Sequence, residues 1–248
     1  IWRVTLAAIG SYAGGGTIDR EYLALQGRLS GTRVEGYAIQ EVDLARGWKA
    51  DAGESPVSVT SSLLSARWRF AERWSVDGGA DTRRNVRLYR DRVTPETEFD
   101  DAYRTGHWGG LEFRPSRRSL LAASARRSTG GSGGDADSYT LRAGAGVIRL
   151  RNLGARSRAT RYESDRTEGW LVSGDLSVDA TSRARVGGSV GRRLERILAS
   201  GAYTRLDWVS ADLDVVLAGG WLVLASVERS RGADESATQV HASAGWRF

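Results

Sequence analysis

The chain has 248 residues, 40% of them hydrophobic and 27% charged, with a formal net charge of +6, enough to bury one sizeable core or close one barrel, and it reads as a single domain over 1–248. It contains no cysteine, which excludes a disulfide framework, a thiolate metal site and a cysteine nucleophile together. The arginines are dispersed singly along the chain rather than gathered into one basic face, so nucleic acid is not an expected partner despite the positive charge.

With 31 glycines, three prolines and few helix formers at helical spacing, period two governs the chain. Strands are expected at 2–13, 18–29, 32–49, 56–70, 73–91, 103–114 and 118–129. They continue at 138–149, 152–163, 168–179, 183–194, 201–217, 220–230 and 237–248. Each of these 14 spans has roughly ten residues or more, the length of a tilted strand crossing a bilayer. Alternation is clearest in Val240, Ala242, Ala244, Trp246 and Phe248, which are interleaved with Gln239, His241, Ser243, Gly245 and Arg247. The third and twelfth strands alternate poorly, which predicts a bulge or a register change there. The longest apolar stretch, Val215 to Val227, is interrupted by Gly219 and Gly220 and is too short for a spanning helix.

The links sort into two kinds. Tight turns are expected at Ser30-Gly31, Ala71-Glu72, Pro115 to Arg117, Arg151, Ala180 to Ser182 and Ala218-Gly219. Longer links are expected at 50–56, 92–101, 130–137, 163–167 and 231–236. An even strand count returns both chain ends to the short-turn side. The aromatics sort with the links: Trp2, Phe70, Trp74, Phe113, Trp221, Trp246 and Phe248 lie toward the short turns. Tyr12, Tyr103, Tyr139, Tyr162, Trp170 and Tyr203 lie toward the long links, giving two belts of the kind that border a membrane. Trp108 and Trp208 fit neither belt. The first residue is Ile1 with no leader pattern before it, so a processed mature form or a fragment is expected.

With these features the chain resembles the bacterial outer-membrane β-barrel superfamily, specifically porin-like barrels of intermediate strand number. The most specific element is the terminal VHASAGWRF, in which Val240, Ala242, Ala244, Trp246 and Phe248 match the signal read by the barrel-assembly machinery. The resemblance implies a closed antiparallel up-and-down transmembrane barrel, integral to the outer membrane. It implies lipid and lipopolysaccharide as surroundings, the assembly machinery as a partner during biogenesis, and a larger complex or homo-oligomer as further assemblies. No cofactor and no metal are expected.

The inward face is expected to hold about 14 arginines, among them Arg20, Arg28, Arg67, Arg69, Arg142, Arg156, Arg158, Arg185, Arg193 and Arg247, against about seven acids such as Asp77, Asp81, Glu112 and Asp175. Two readings stand: the arginines favour anions in a pore, or they pair with facing acids and brace the wall. Leu63, Leu120, Leu171, Leu222 and Leu224 also fall inward, which requires a local register error or something packed against them. The link at 92–101, with Glu96, Glu98 and Asp100, is the candidate constriction. The acidic outer links, including Asp135, Asp137, Glu163, Asp165, Asp234 and Glu235, are either divalent-cation contacts or plain solvated loops. The leading expectation is a passive pore for small polar solutes, not an enzyme. The alternatives are a plugged barrel that anchors a larger protein, and a barrel enzyme whose one candidate pair is His241 with Ser243.

Overall fold

The structure is a computed structural model that describes residues 1–13, 16–51, 53, 55–86, 88, 103–130, 134–147, 152–232 and 236–246. The expected strands are present: β1 (Trp2–Tyr12), β2 (Ile18–Ser30), β3 (Val34–Leu44), β4 (Val57–Trp68), β5 (Trp74–Arg83), β6 (Arg104–Ser116) and β7 (Ser119–Gly130). They are followed by β8 (Ala136–Val147), β9 (Leu153–Ser164), β10 (Thr167–Asp179), β11 (Ala184–Ile197), β12 (Tyr203–Val216), β13 (Trp221–Arg231) and β14 (Ser236–Trp246). They hydrogen-bond in chain order as one 14-stranded sheet, so the architecture is all-β and up-and-down. Among the described residues no helix is long and apolar enough to cross a membrane. The chain forms two compact units, Ile1–Leu111 with Arg126–Asp137, and Glu112–Ala125 with Ser138–Phe248.

In an antiparallel ladder, residues directly opposite one another project from the same side, so register assigns every side chain to a face. In the first unit Leu6 stands opposite Leu25 and Leu64 opposite Ala80, while Arg28 stands opposite Tyr37 and Arg67 opposite Asp77. In the second unit Val190 stands opposite Val209 and Ala225 opposite Ala242, while Asp175 stands opposite Arg156 and Asp214 opposite Arg185. Each unit therefore has one apolar and one polar face.

Burial is inverted relative to a water-soluble fold. Leu6 is 69% exposed, Leu64 61%, Leu141 64% and Leu176 60%. Among the described residues the buried hydrophobic core consists of Ala122, whereas Asp43, Lys49, Thr60, Ser75, Glu112 and Thr160 are all buried. Burying apolar area is the main favourable term for folding in water, so this arrangement suits a chain whose outer solvent is lipid.

Several expectations need correction. The third strand ends at Leu44, and residues beyond it form the short helix α1 (Trp48–Asp51). A bulge does occur beside β3, but the extra residue is Thr60 on β4: Glu41 pairs with Ser61 and Val42 with Val59. β12 carries no bulge, because its register is continuous against both β11 and β13. Its alternation looked broken because Leu206 and Trp208 project to the polar face and Arg205 and Asp207 to the apolar one. The link between β9 and β10 is a tight turn of Asp165 and Arg166, not a long loop. The inward leucines are no register error: Leu63 stands opposite Asp81, Leu171 opposite Arg193, and Leu224 opposite Asp214.

The two unplaced tryptophans have a packing role. The Trp208 indole lies over Gly191, its partner across the ladder, and the Trp108 indole lies over Gly79. Tyr162, expected in the long-link belt, instead sits on the polar face over its partner Gly169. At each glycine a methyl group would overlap the aromatic side chain, so the missing Cβ is what lets the ring lie flat on the wall. Of the remaining belt residues described, Phe113 is half-buried and the others, including Trp2, Trp221 and Trp246 at one end and Tyr12, Tyr139, Trp170 and Tyr203 at the other, are exposed.

Gly191→Ala should lower unfolding stability in detergent by about 1–3 kcal/mol through overpacking against Trp208. In a Trp208→Ala background the same substitution should cost much less, a non-additivity that a urea-unfolding double-mutant cycle measures directly.

Candidate functional site

The polar faces hold the chemistry. In the first unit β2, β3 and β4 converge on Asp43, which is 5% exposed. Arg20 Nε donates to Asp43 Oδ2 at 2.9 Å, and Nη2 donates to Asp43 Oδ1 at 2.7 Å and to Glu41 Oε2 at 2.9 Å. The bulge turns Thr60 toward the same carboxylate, and its hydroxyl donates to Oδ1 at 2.8 Å. Lys49 of α1, 3% exposed, places Nζ 4.0 Å from Asp43 Oδ2, and Trp48 Nε1 donates to the Ile18 carbonyl at 2.9 Å. Trp48 and Lys49 of α1 are thereby held against β2 and β3. The Arg20 guanidinium also lies 4.1 Å from the centre of the Tyr22 ring.

Elsewhere in the first unit Arg126 donates to Asp81 at 2.7 Å across Gly106, where a Cβ would intrude on both groups. Arg67 donates to the buried Ser75 hydroxyl at 2.9 Å. In the second unit the Tyr162 hydroxyl donates to Glu195 at 2.9 Å and accepts from Arg193 Nε at 3.0 Å, while Arg193 also contacts Glu195. Arg185 donates to Ser177 at 2.9 Å, and Arg158 donates to Thr160 at 3.1 Å. Arg114 and Glu112 pair at 2.6 Å.

Register places Arg20, Arg28 and Arg67 on the polar face of the first unit, and Arg156, Arg158, Arg185 and Arg193 on that of the second. Arg142 alternates with the exposed Tyr139 and Leu141 and so shares the side of Thr140, which bonds Thr160 at 3.0 Å. Arg69 lies just past β4, its backbone N–H donating to the Arg33 carbonyl at 2.7 Å. The side chains of Arg28, Arg142 and Arg156 have no hydrogen bond or ion pair among the described residues. Arg247, Phe248 and the candidate constriction residues Glu96, Glu98 and Asp100 lie outside the described residues. Val240, Ala242, Ala244 and Trp246 share the apolar face of β14.

The expected arginine excess is smaller than the sequence count. Glu35, Glu41 and Asp43 join Asp77 and Asp81 on the polar face of the first unit. Asp179, Glu195, Asp212, Asp214 and Glu228 join Asp175 in the second. Cross-strand register decides these positions, and composition does not reveal it. The Lys49 contact was also missed, since its residue was assigned to a strand. His241 stands opposite Ser226 on the polar face with Ser243 two residues along, and no side-chain hydrogen bond joins His241 to either among the described residues. Nor do three or more His, Cys, Asp or Glu residues gather as metal ligands among them.

These features define an all-β protein of antiparallel up-and-down strands with a charged, ion-paired polar face and a lipid-like apolar one. No family model matches the chain, and no curated protein sequence matches it. Among solved structures it is similar to OmpTdeltaL8, a loop L8 deletion mutant of OmpT, an outer membrane protein of Vibrio cholerae. That likeness has 10% identity and a TM-score of 0.40, and covers 98% of this chain and 96% of that one.

Removing the Asp43 carboxylate takes the two-oxygen partner from Arg20, which keeps Glu41, and the facing negative charge from the buried Lys49. Asp43→Ala should destabilise the folded protein by about 3 kcal/mol, and Asp43→Glu by less, measured as shifts in the urea midpoint in detergent.

Proposed function

We propose that the strands close into a transmembrane β-barrel of the bacterial outer membrane, with the polar faces lining an aqueous lumen that passes small polar solutes. The observation that carries this reading is the inverted burial, with leucines exposed on one face and acids, a lysine and threonines buried on the other. A barrel of about 14 strands is wider than side chains alone can fill, by interpolation between filled eight-stranded and water-filled 16-stranded barrels. The short helix α1, latched to Asp43 by Lys49, would narrow such a lumen from one side. The terminal apolar stripe Val240, Ala242, Ala244 and Trp246 supports recognition by the assembly machinery.

Because acids nearly match arginines, selectivity is weak. A slight anion preference rests on Arg28, Arg142 and Arg156, which lack partners, and on Arg158, which bonds only a neutral threonine. Single-channel recording in planar bilayers under a salt gradient tests the whole reading. Stable conductance steps with a small anion-directed reversal potential are expected; silence from folded protein would instead favour a plugged barrel acting as an anchor. Arg156→Glu with Arg158→Glu should lower the anion-to-cation permeability ratio by roughly twofold or more, read as a shift of the reversal potential.

A further inference from the structure

One patch on the polar face of the second unit is apolar. At one level Thr160, Leu171, Arg193 and Leu206 stand side by side on β9–β12, and at the next level come Arg158, Ser173, Gly191 and Trp208. Leu171 and Leu206 have no apolar partner directly opposite them, and Leu206 is exposed. The Trp208 indole rests on Gly191, remains half-exposed, and has no cation or second ring stacked on it among the described residues. Leu171, Leu206 and Trp208 thus share a floor three strands wide, about 10 Å by 7 Å from strand spacing and rise, on a wall that is otherwise charged.

Two guanidiniums border this floor. Arg158 Nε donates to the Thr160 hydroxyl at 3.1 Å, which draws the head toward the level of Leu171 and leaves both terminal nitrogens without a partner among the described residues. Arg193 stands between Leu171 and Leu206. Its Nε donates to the Tyr162 hydroxyl at 3.0 Å and its Nη2 contacts Glu195, so the head is fixed while Nη1 has no partner among the described residues. Glu195 also accepts from Tyr162 at 2.9 Å, and that carboxylate is committed. Neither of the two levels carries an acid on β9–β12. The patch therefore offers apolar surface and charged N–H donors with no free carboxylate between them.

We infer that this patch is a binding subsite for small aromatic carboxylates. A flat ring stacks on indole and leucine, and its carboxylate takes paired N–H donors from a guanidinium at the edge. Sites for small molecules combine a mostly apolar lining with a few placed polar groups, which is the composition here. A neutral sugar needs acceptors as well as donors around its hydroxyls, and the acid nearest this floor is already satisfied. An inorganic anion would gain nothing from the leucines. The pairing of two guanidiniums with an apolar floor selects a compact anion that brings its own flat apolar surface. This names a solute class for the pore reading given above and rests on that reading for the route by which solute reaches the patch.

The test titrates 4-fluorobenzoate into the full chain folded in detergent micelles and follows the fluorine resonance by NMR, with protein-free micelles as the blank. A saturable shift is expected, with roughly tenfold weaker binding of 4-fluorobenzyl alcohol, which keeps the ring, and of fluoroacetate, which keeps the charge. Arg158→Gln leaves the Tyr162, Arg193 and Glu195 contacts in place and should weaken 4-fluorobenzoate by roughly tenfold. Leu206→Ser should weaken it by roughly threefold through lost apolar contact, while Arg33→Gln in a short turn should change nothing. Equal binding of the alcohol or of fluoroacetate, tighter binding of a fluorinated glucose, or unchanged affinity in both Arg158→Gln and Leu206→Ser would overturn the proposal. Conductance of the same preparation in planar bilayers separates the two readings. Channel steps without saturable binding overturn the subsite and leave the pore; saturable, variant-sensitive binding without steps supports the subsite and overturns the pore.

Discussion

Every assignment in this protein depends on the two-residue alternation of the extended chain, held in phase by backbone hydrogen bonds between neighbouring strands. A slip of one residue between any pair would turn the whole arginine and aspartate set of one strand toward the apolar side and its leucines toward the charged side. Lipid cannot satisfy a stray guanidinium or an unpaired peptide group, so the penalty for such a slip is larger here than in a sheet wetted on one face. Register therefore has both a steric and an electrostatic guard.

The buried cluster around Asp43 shows how the polar face absorbs an irregularity. The extra residue in β4 interrupts the ladder, and Thr60, the residue left over, is turned against the carboxylate that also holds Arg20 and Lys49. One local defect thus joins three strands and the following link. The exposed pairs on the apolar side, such as Arg192 with Asp207, contribute little to stability by comparison, because both groups stay solvated. Their arrangement is better explained by what they present to the surroundings.

Strand number and strand position were legible in the sequence, since alternation and turn residues act within a few positions of one another. β3 and β12 were harder. The first ends early because Trp48 is held by the Ile18 carbonyl, 30 residues away, and Lys49 turns back to Asp43. The second places Leu206 and Trp208 on the polar face and Arg205 and Asp207 on the apolar one. The positions of Tyr162, Trp108 and Trp208 were not legible, because each depends on which glycine lies opposite, and so on the acids counted onto the polar face. A sequence shows the period of a strand; only pairing shows its phase against the next.

The pairing of Trp208 with Gly191 has a consequence for descent. The pair shares one volume, so neither member can vary by itself without leaving a gap or a collision. Such positions should drift together as one heritable unit, exchanging bulk across the ladder while their sum stays fixed. The wall would then keep a memory of its strand pairing in lineages where little else of the sequence survives.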